Sequence, residues 1–312
     1  MDEDGDFYRS CPCPKDKKVY TYIHKKKSKG VFMKIARYME SGKPKIGVVI
    51  ANKYVADLNP MGLDSIYTLL EHYPKSIKIA KEVVNDIESV NLSSFGEVEF
   101  LPPIPRPPKI ICLGLNYRDH AKEFGGKPPK EPMLFSKAPT AVIGPNDEIE
   151  TPTKLTDYEV ELAIVIGKKC SHASKESAKD CVLGFTILND VSARDIQFKD
   201  KQFFRSKSFD TFAPIGPWIT TKDEIGDPDN LNIECKLNGD IKQSSNTSNM
   251  IFGVYDTVSF ISKSVTLEAG DIIGTGTPSG VGSMQRPPRF LKAGDELELT
   301  IQNIGTLRNV VV

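Results

Sequence analysis

The stretch TDYEVELAIVIGKK, residues 156–169, reads as a strand running into a core, and it sets the fold class of what surrounds it. Side chains of a strand alternate faces, so Asp157, Glu159 and Glu161 point one way while Tyr158, Val160 and Leu162 point the other. From Ala163 to Ile166 the residues are uniformly apolar, so this end is buried. Acids stacked on one face at the mouth of a buried strand repel one another unless protonated or bridged by a cation. Taken alone, the same segment also fits a solvated edge face.

Downstream, apolar runs alternate with turns: CVLGFTILND, NIECKLNGD, DIIGTG, DELELTIQNIG and LRNVVV. Strands of this number and spacing, without regular βαβ alternation, predict a large, β-rich α+β domain over 110–312. Its first segment, KIICLGLNY, has the look of a buried strand, and 117–124 of a short helix. Just upstream, LPPIPRPPK (101–109) holds five prolines in nine residues, which predicts an extended linker and a domain boundary. Residues 31–100 form a small N-terminal α/β domain in this reading. It has short strands in VFMKIARYM, IGVVI and YVADL, a turn at Ser41-Gly42-Lys43-Pro44, and helical spacing over 62–90 broken at Pro74.

Residues 1–30 carry eight Lys/Arg against five Asp/Glu, with no apolar run and with acids at Asp2, Glu3, Asp4 and Asp6. That excludes a secretory signal and leaves a solvated, disordered tail or a nonstandard transit sequence. Over 312 residues, Lys+Arg and Asp+Glu both total 41, so the basic excess of a nucleic-acid binder is missing. No run of 18 apolar residues exists to span a membrane. The six cysteines (Cys11, Cys13, Cys112, Cys170, Cys181 and Cys235) form no C-x-x-C pair, which argues against a zinc site or a disulfide framework and for a reducing intracellular compartment.

The next buried strand ends in Asn189-Asp190. An acid there is often an N-cap, yet with Glu159 and Glu161 it can also supply a third oxygen to a hard cation. Of the four histidines, His24, His72 and His172 lie in unremarkable settings. His120, in GLNYRDHAKEFGGKPP, precedes Glu123 by three, so one helical turn sets the carboxylate beside the imidazole. Such a pair suits a general base, and it equally suits a surface ion pair. Gly125 and Gly126, followed by Pro128 and Pro129, could hinge a lid. In KSFDTFAPIGPW, Lys207 stands before a Phe/Pro-rich segment that reads as a buried turn, where a desolvated ammonium needs an anionic partner. The glycine-rich GDIIGTGTPSGVG (270–282) lacks the ending of a phosphate loop and the spacing of a dinucleotide fold, which excludes nucleotide binding. Close backbone approach to a ligand, or a tight turn, remains.

In this order, GLNYRDHAKE, EPMLFSKAPTAVIGPNDEI, DYEVELAIVIGKK, GFTILNDVSARD, KSFDTFAPIGPW and GDIIGTGTPSGVG resemble the fumarylacetoacetate hydrolase family. QSSNTSNMIF and RPPRFLKAGDELE are similar to its domain-containing protein 2 branch. The resemblance covers about residues 31–312. It implies a mixed β-sandwich roll, a homodimer, and Mg²⁺ or Mn²⁺ held by Glu159, Glu161 and Asp190. It further implies a His120–Glu123 dyad on a closing lid, a catalytic Lys207, and substrate contacts from Arg194, Gln197 and Thr277. The implied substrates are small 2-oxo acids handled through a metal-bound enolate. Oxaloacetate keto–enol tautomerisation is the leading activity, with acylpyruvate C–C hydrolysis or oxaloacetate decarboxylation as alternatives. An inactive member that only binds is the alternative of another class. By resemblance the compartment is mitochondrial, otherwise cytosolic.

Overall fold

The computed structural model describes residues 33–85, 91–123 and 125–312, so the expectation for residues 1–30 lies outside the described residues. The chain opens on a meander of β1 (Lys34–Glu40), β2 (Lys43–Ile50) and β3 (Tyr54–Asp57). Ser41 and Gly42 both take positive φ (50° and 74°), the backbone of a two-residue hairpin turn whose twist matches its strands. The turn is therefore shorter than Ser41–Pro44: Lys43 and Pro44 already belong to β2, where Pro44 faces Met39.

The helical spacing over 62–90 resolves into two helices, Ile66–Glu71 and Lys75–Asn85, interrupted at Pro74. Ser65 caps the first by accepting the Thr68 N–H, and Ile66, Leu69 and Leu70 are its buried face. β4 (Leu92–Ser94) and β5 (Glu99–Leu101) follow. The proline-rich 101–109 stretch then lies along the body, with Pro103, Ile104 and Pro107 buried.

The remaining strands are β6 (Ile110–Gly114), β7 (Met133–Lys137), β8 (Val142–Ile143), β9 (Glu148–Ile149), β10 (Thr156–Asp157), β11 (Val160–Ile166) and β12 (Val182–Asn189). After them come β13 (Ser192–Ala193), β14 (Ala213–Thr221), β15 (Asn232–Leu237), β16 (Asp240–Asn246), β17 (Ile272–Gly274), β18 (Glu296–Ile301) and β19 (Gly305–Val311). The main sheet runs β4-β3-β2-β1-β14-β12-β11-β17-β6-β7, with β5 on β1 and β8 on β14. Because Lys34 and Ile35 of β1 pair with Thr220 and Ile219 of β14, the N-terminal strands extend the same sheet that holds the later ones. Most pairs are antiparallel, while β17–β6 is parallel, so the sheet is mixed.

Every residue of β11, β12 and β14 is buried, which is why their sequences lose period-two alternation. The second sheet, β16-β15-β18-β19-β9, supplies one cover: β15 lies against β11, β18 against β12 and β19 against β14. Its strands alternate, with Ile233, Cys235 and Leu237, Leu297, Leu299 and Ile301, and Leu307 and Val311 turned inward. Helices Lys175–Cys181 and Lys222–Ile225 pack on β12, and Val254–Ser262 packs on the first of these. The architecture is the β-rich α+β arrangement expected.

Candidate active site

At Glu159 the chain passes from β10 into β11, and this junction gathers the acids. The Glu159 N–H donates to Asn189 Oδ1 (3.0 Å), and the Asp190 N–H donates to the Glu159 carbonyl (2.9 Å). These two bonds tie the end of β12 to the start of β11, so Glu159, Glu161 and Asp190 are buried neighbours. A solvated edge face is thereby excluded.

The helix Phe203–Lys207 brings Lys207 to the same place. Its buried ammonium donates to Glu159 Oε2 (2.8 Å) and Asp190 Oδ2 (2.6 Å), and sits 5.2 Å from the centre of the Phe135 ring. Lys137, at the end of β7, holds the other Asp190 oxygen at 2.5 Å and the Val191 carbonyl at 3.2 Å. Arg194 does not face solvent. It pairs with Asp157 (2.9 Å) and Glu159 (2.6 Å), and donates to Gln197 Oε1 (3.1 Å). Burial disfavours the Arg194 and Lys207 charges, but the acids outweigh it and raise both groups. Burial would likewise raise Glu159, but Lys207, Arg194 and His120 overcome it and hold the carboxyl at about 2. Glu161 goes the other way: burial, then Asp190 and Glu159, push it well above the carboxylate range.

His120 lies on the helix Arg118–Glu123 and is buried, so the dyad is no surface pair. Its Nδ1 is 3.1 Å from Glu123 Oε2, while Glu123 Oε1 accepts the Gly280 N–H at 3.0 Å. A carboxylate only accepts, so Nδ1 carries the hydrogen and proton exchange falls to Nε2. The start of this helix is tied to the body. Asn116 bonds to Phe252 and Thr275, Arg118 donates to the Ser248 and Met250 carbonyls, and Asp119 accepts from Ser245.

The glycine-rich segment approaches the protein itself. A Cβ on Gly274 would collide with Glu161 Oε2 and press on Leu188 and Cys112. Gly280, at φ +101°, lies against the Lys242 carbonyl, and its own carbonyl accepts from Tyr158 (3.3 Å) and Gln285 (3.2 Å). Thr277 has its hydroxyl committed, donating to the Val160 carbonyl (2.9 Å) and accepting from Gln243 Nε2 (2.8 Å).

This constellation can be set beside known proteins. A profile of the family described as fumarylacetoacetate (FAA) hydrolase C-terminal matches residues 109–312. The chain belongs to that family. It is 44% identical over 264 residues to the mitochondrial oxaloacetate tautomerase Fahd2a of Rattus norvegicus, covering 83% of this chain and 84% of the relative. To the oxaloacetate tautomerase YisK of Bacillus subtilis it is 48% identical over 233 residues, or 73% and 77% of the two chains. Among solved structures, the fumarylacetoacetate hydrolase of psychrophilic Exiguobacterium antarcticum matches with a TM-score of 0.79 at 38% identity, over 89% of this chain and 99% of that one.

Fumarylacetoacetate hydrolase family enzymes are typically divalent-metal dependent, and the donors here fit such an ion. Glu161 is 1% exposed, and its Oε2 accepts no hydrogen bond among the described residues, so this oxygen needs a proton or a cation. Oxygens of Glu161 and Asp190 lie within 4.8 Å of each other and of Cys112 Sγ, while Glu159 is turned to Lys207 and Arg194.

Several participants escaped the sequence reading. Lys137 is a lone charge closing MLFSK, and only the tertiary fold brings its side chain to Asp190, 53 residues downstream. Asp157, grouped in sequence with the glutamates, instead accepts from Arg194, Gly282 and Ser283, anchoring the end of the glycine-rich loop. Gln243 reaches from β16 to the Val160 N–H and to Thr277, a contact that no local spacing signals.

Proposed function

We propose that this protein is an oxaloacetate keto–enol tautomerase. The observation that carries the reading is the His120–Glu123 dyad, its imidazole buried and its carboxylate latched to Gly280. It is supported by relatives at 44% and 48% identity that bear that name. A divalent cation, Mg²⁺ or Mn²⁺, held by Glu159, Glu161 and Asp190 would stabilise negative charge gathering on the oxygens of a 2-oxo acid.

The chain's own residues do the rest. His120 Nε2 takes a proton from C3, and Glu123 orients the ring and stabilises the imidazolium. The proton is then returned to the C2 oxygen, so the enol forms with no net loss of atoms. Lys207, kept charged by Asp190 and Glu159, holds positive charge beside the reacting oxygens. Arg194 fixes Glu159, Gln197 steadies Arg194, and Thr277 is bonded to the Val160 carbonyl; substrate contacts are proposed for Arg194, Gln197 and Thr277.

Two further parts of the reading concern the whole chain. Residues 31–100 and 110–312 are proposed as an N-terminal unit and a catalytic unit joined by 101–109. The protein is proposed to work as a homodimer, in mitochondria as the Fahd2a relative's name indicates for that protein.

Following enol-oxaloacetate decay with purified protein, with and without Mg²⁺, tests the activity. Acceleration that depends on Mg²⁺, without release of CO₂, is expected. Cleavage of acylpyruvates without tautomerisation would make it a C–C hydrolase, CO₂ release a decarboxylase, and inertness toward all of these a binding protein.

A further inference from the structure

The thiol of Cys112 has no part in the chemistry above, yet it lies within the acid cluster. Cys112 Sγ and oxygens of Glu161 and Asp190 are all within 4.8 Å of one another, a spacing that one cation with bonds of about 2.0–2.4 Å can bridge. Cys112 comes from β6, Glu161 from β11, and Asp190 from the turn just after β12. Gly274 of β17 pairs with Cys112 of β6 on one side and Ala163 of β11 on the other, and its missing side chain leaves the space that Glu161 Oε2 and Cys112 Sγ both border. That Oε2 is a buried oxygen with no hydrogen-bond partner among the described residues. Sulfur adds little for a hard ion such as Mg²⁺, whereas Zn²⁺, Cd²⁺ and Co²⁺ bind thiolate strongly.

We propose that Cys112 is a protein ligand, together with Glu161 and Asp190, for thiophilic divalent cations, so that Zn²⁺ and Cd²⁺ bind this site more tightly than Mg²⁺ does. Coordination releases one proton to solvent: Cys–SH and M²⁺ give Cys–S–M⁺ and H⁺, with no redox change. The inference shares Glu161 and Asp190 with the proposed function and rests on that cation-site reading, but its readout is independent of turnover.

The test uses the full chain with Cys11→Ser and Cys13→Ser, which removes the closely spaced thiols of the leader. Cd²⁺ is titrated while the ultraviolet thiolate-to-metal charge-transfer band is recorded, and Mn²⁺ binding is measured in parallel by electron paramagnetic resonance. The band should saturate at one Cd²⁺ per chain. Cys112→Ser, and Cys112→Ala as a second variant, should abolish it and weaken Cd²⁺ by at least the roughly 10–100-fold that losing even an outer partner of a ligand costs. Mn²⁺ affinity should stay unchanged in both. Glu161→Gln should also remove the band, because the sulfur and the carboxylate share one ion. A band that persists without Cys112, or Cd²⁺ binding with no Cys112-dependent band, overturns the assignment of sulfur while leaving the Mn²⁺ result to judge the oxygen site. Failure of both ions to bind overturns both.

Discussion

Glu159 and Glu161 stand two residues apart, and their surroundings push them in opposite directions. Glu159 is compensated by Lys207 and Arg194, while Glu161 has burial and two acids against it. A carboxyl whose folded value is raised above its unfolded value of about 4.3 binds more protons when folded, so its penalty grows as pH rises through that range. In EDTA, Glu161→Gln should therefore melt no lower than wild type at pH 5 and increasingly higher toward pH 8. Adding Mg²⁺ should raise the melting temperature of wild type only, and the Mg²⁺-dependent rate should vanish in the variant. Parallel pH profiles of stability for the two proteins would show that Glu161 carries no such penalty. The dyad is testable at the same scale. His120→Ala should lower tautomerisation by about 10²–10⁴-fold, and Glu123→Gln by less, with Mn²⁺ affinity unchanged in both. Wild-type turnover by His120→Ala on every 2-oxo acid tried would refute the proposed base. The His–Glu pairing was legible from the i, i+3 spacing alone. Its burial and its tie to Gly280 were not, because the partner lies 157 residues downstream of Glu123.

At the scale of elements, the site is a property of three adjacent strands. β17 separates β6 from β11, and at Gly274 it presents only a hydrogen where a side chain would strike Glu161. Gly274→Ala should thus sharply weaken divalent-cation binding and cut activity while leaving most of the fold intact, since only the Glu161 carboxylate and its neighbours must shift. Gly126→Ala, whose nearest neighbour is the Ala121 carbonyl at 3.8 Å, is the control expected to do little. Calorimetric titration of both with Mn²⁺ distinguishes them, and equal affinities would mean that Gly274 does not shape the cation site. Many strands were readable from apolar runs, but β7 and β14 were not. MLFSK mixes a lysine and a serine into an edge strand that is only partly buried, and APIGPWITT, read as part of a Phe/Pro-rich turn because of Pro214 and Pro217, is a fully buried strand of the main sheet.

At the scale of the whole molecule, several large apolar side chains among the described residues are exposed on neighbouring elements. Phe198 is 67% exposed, Phe204 54% and Met133 38%, on neighbouring elements beside the end of the main sheet at β7. Exposed aromatics concentrated in one place mark an interaction surface. The proposed homodimer should use it, and the double substitution Phe198→Glu, Phe204→Glu should convert a dimer to a monomer in light-scattering chromatography. A variant that remains dimeric would move the interface elsewhere. At the same scale, the proline-rich stretch that divides the sequence does not divide the sheet. Its Ile104 is fully buried, and β1 hydrogen-bonds directly to β14 across it.

The sequence by itself determined that its continuous apolar runs become strands, because apolar runs and turn residues act locally, and it determined which residue types crowd the chemistry. Six ordered motifs also placed the chain in its family. What only the tertiary structure decided is how the charges are shared. Lys137 and Lys207 both clasp Asp190, Arg194 is spent on Asp157 and Glu159, and Glu161 is left with Cys112 at its side. These pairings join residues 17 to 53 or more positions apart, or strands that meet only through β17, so no local pattern encodes them. They follow from burial: once the acids are removed from water, each must find the nearest compensating charge, and the fold alone sets which one that is.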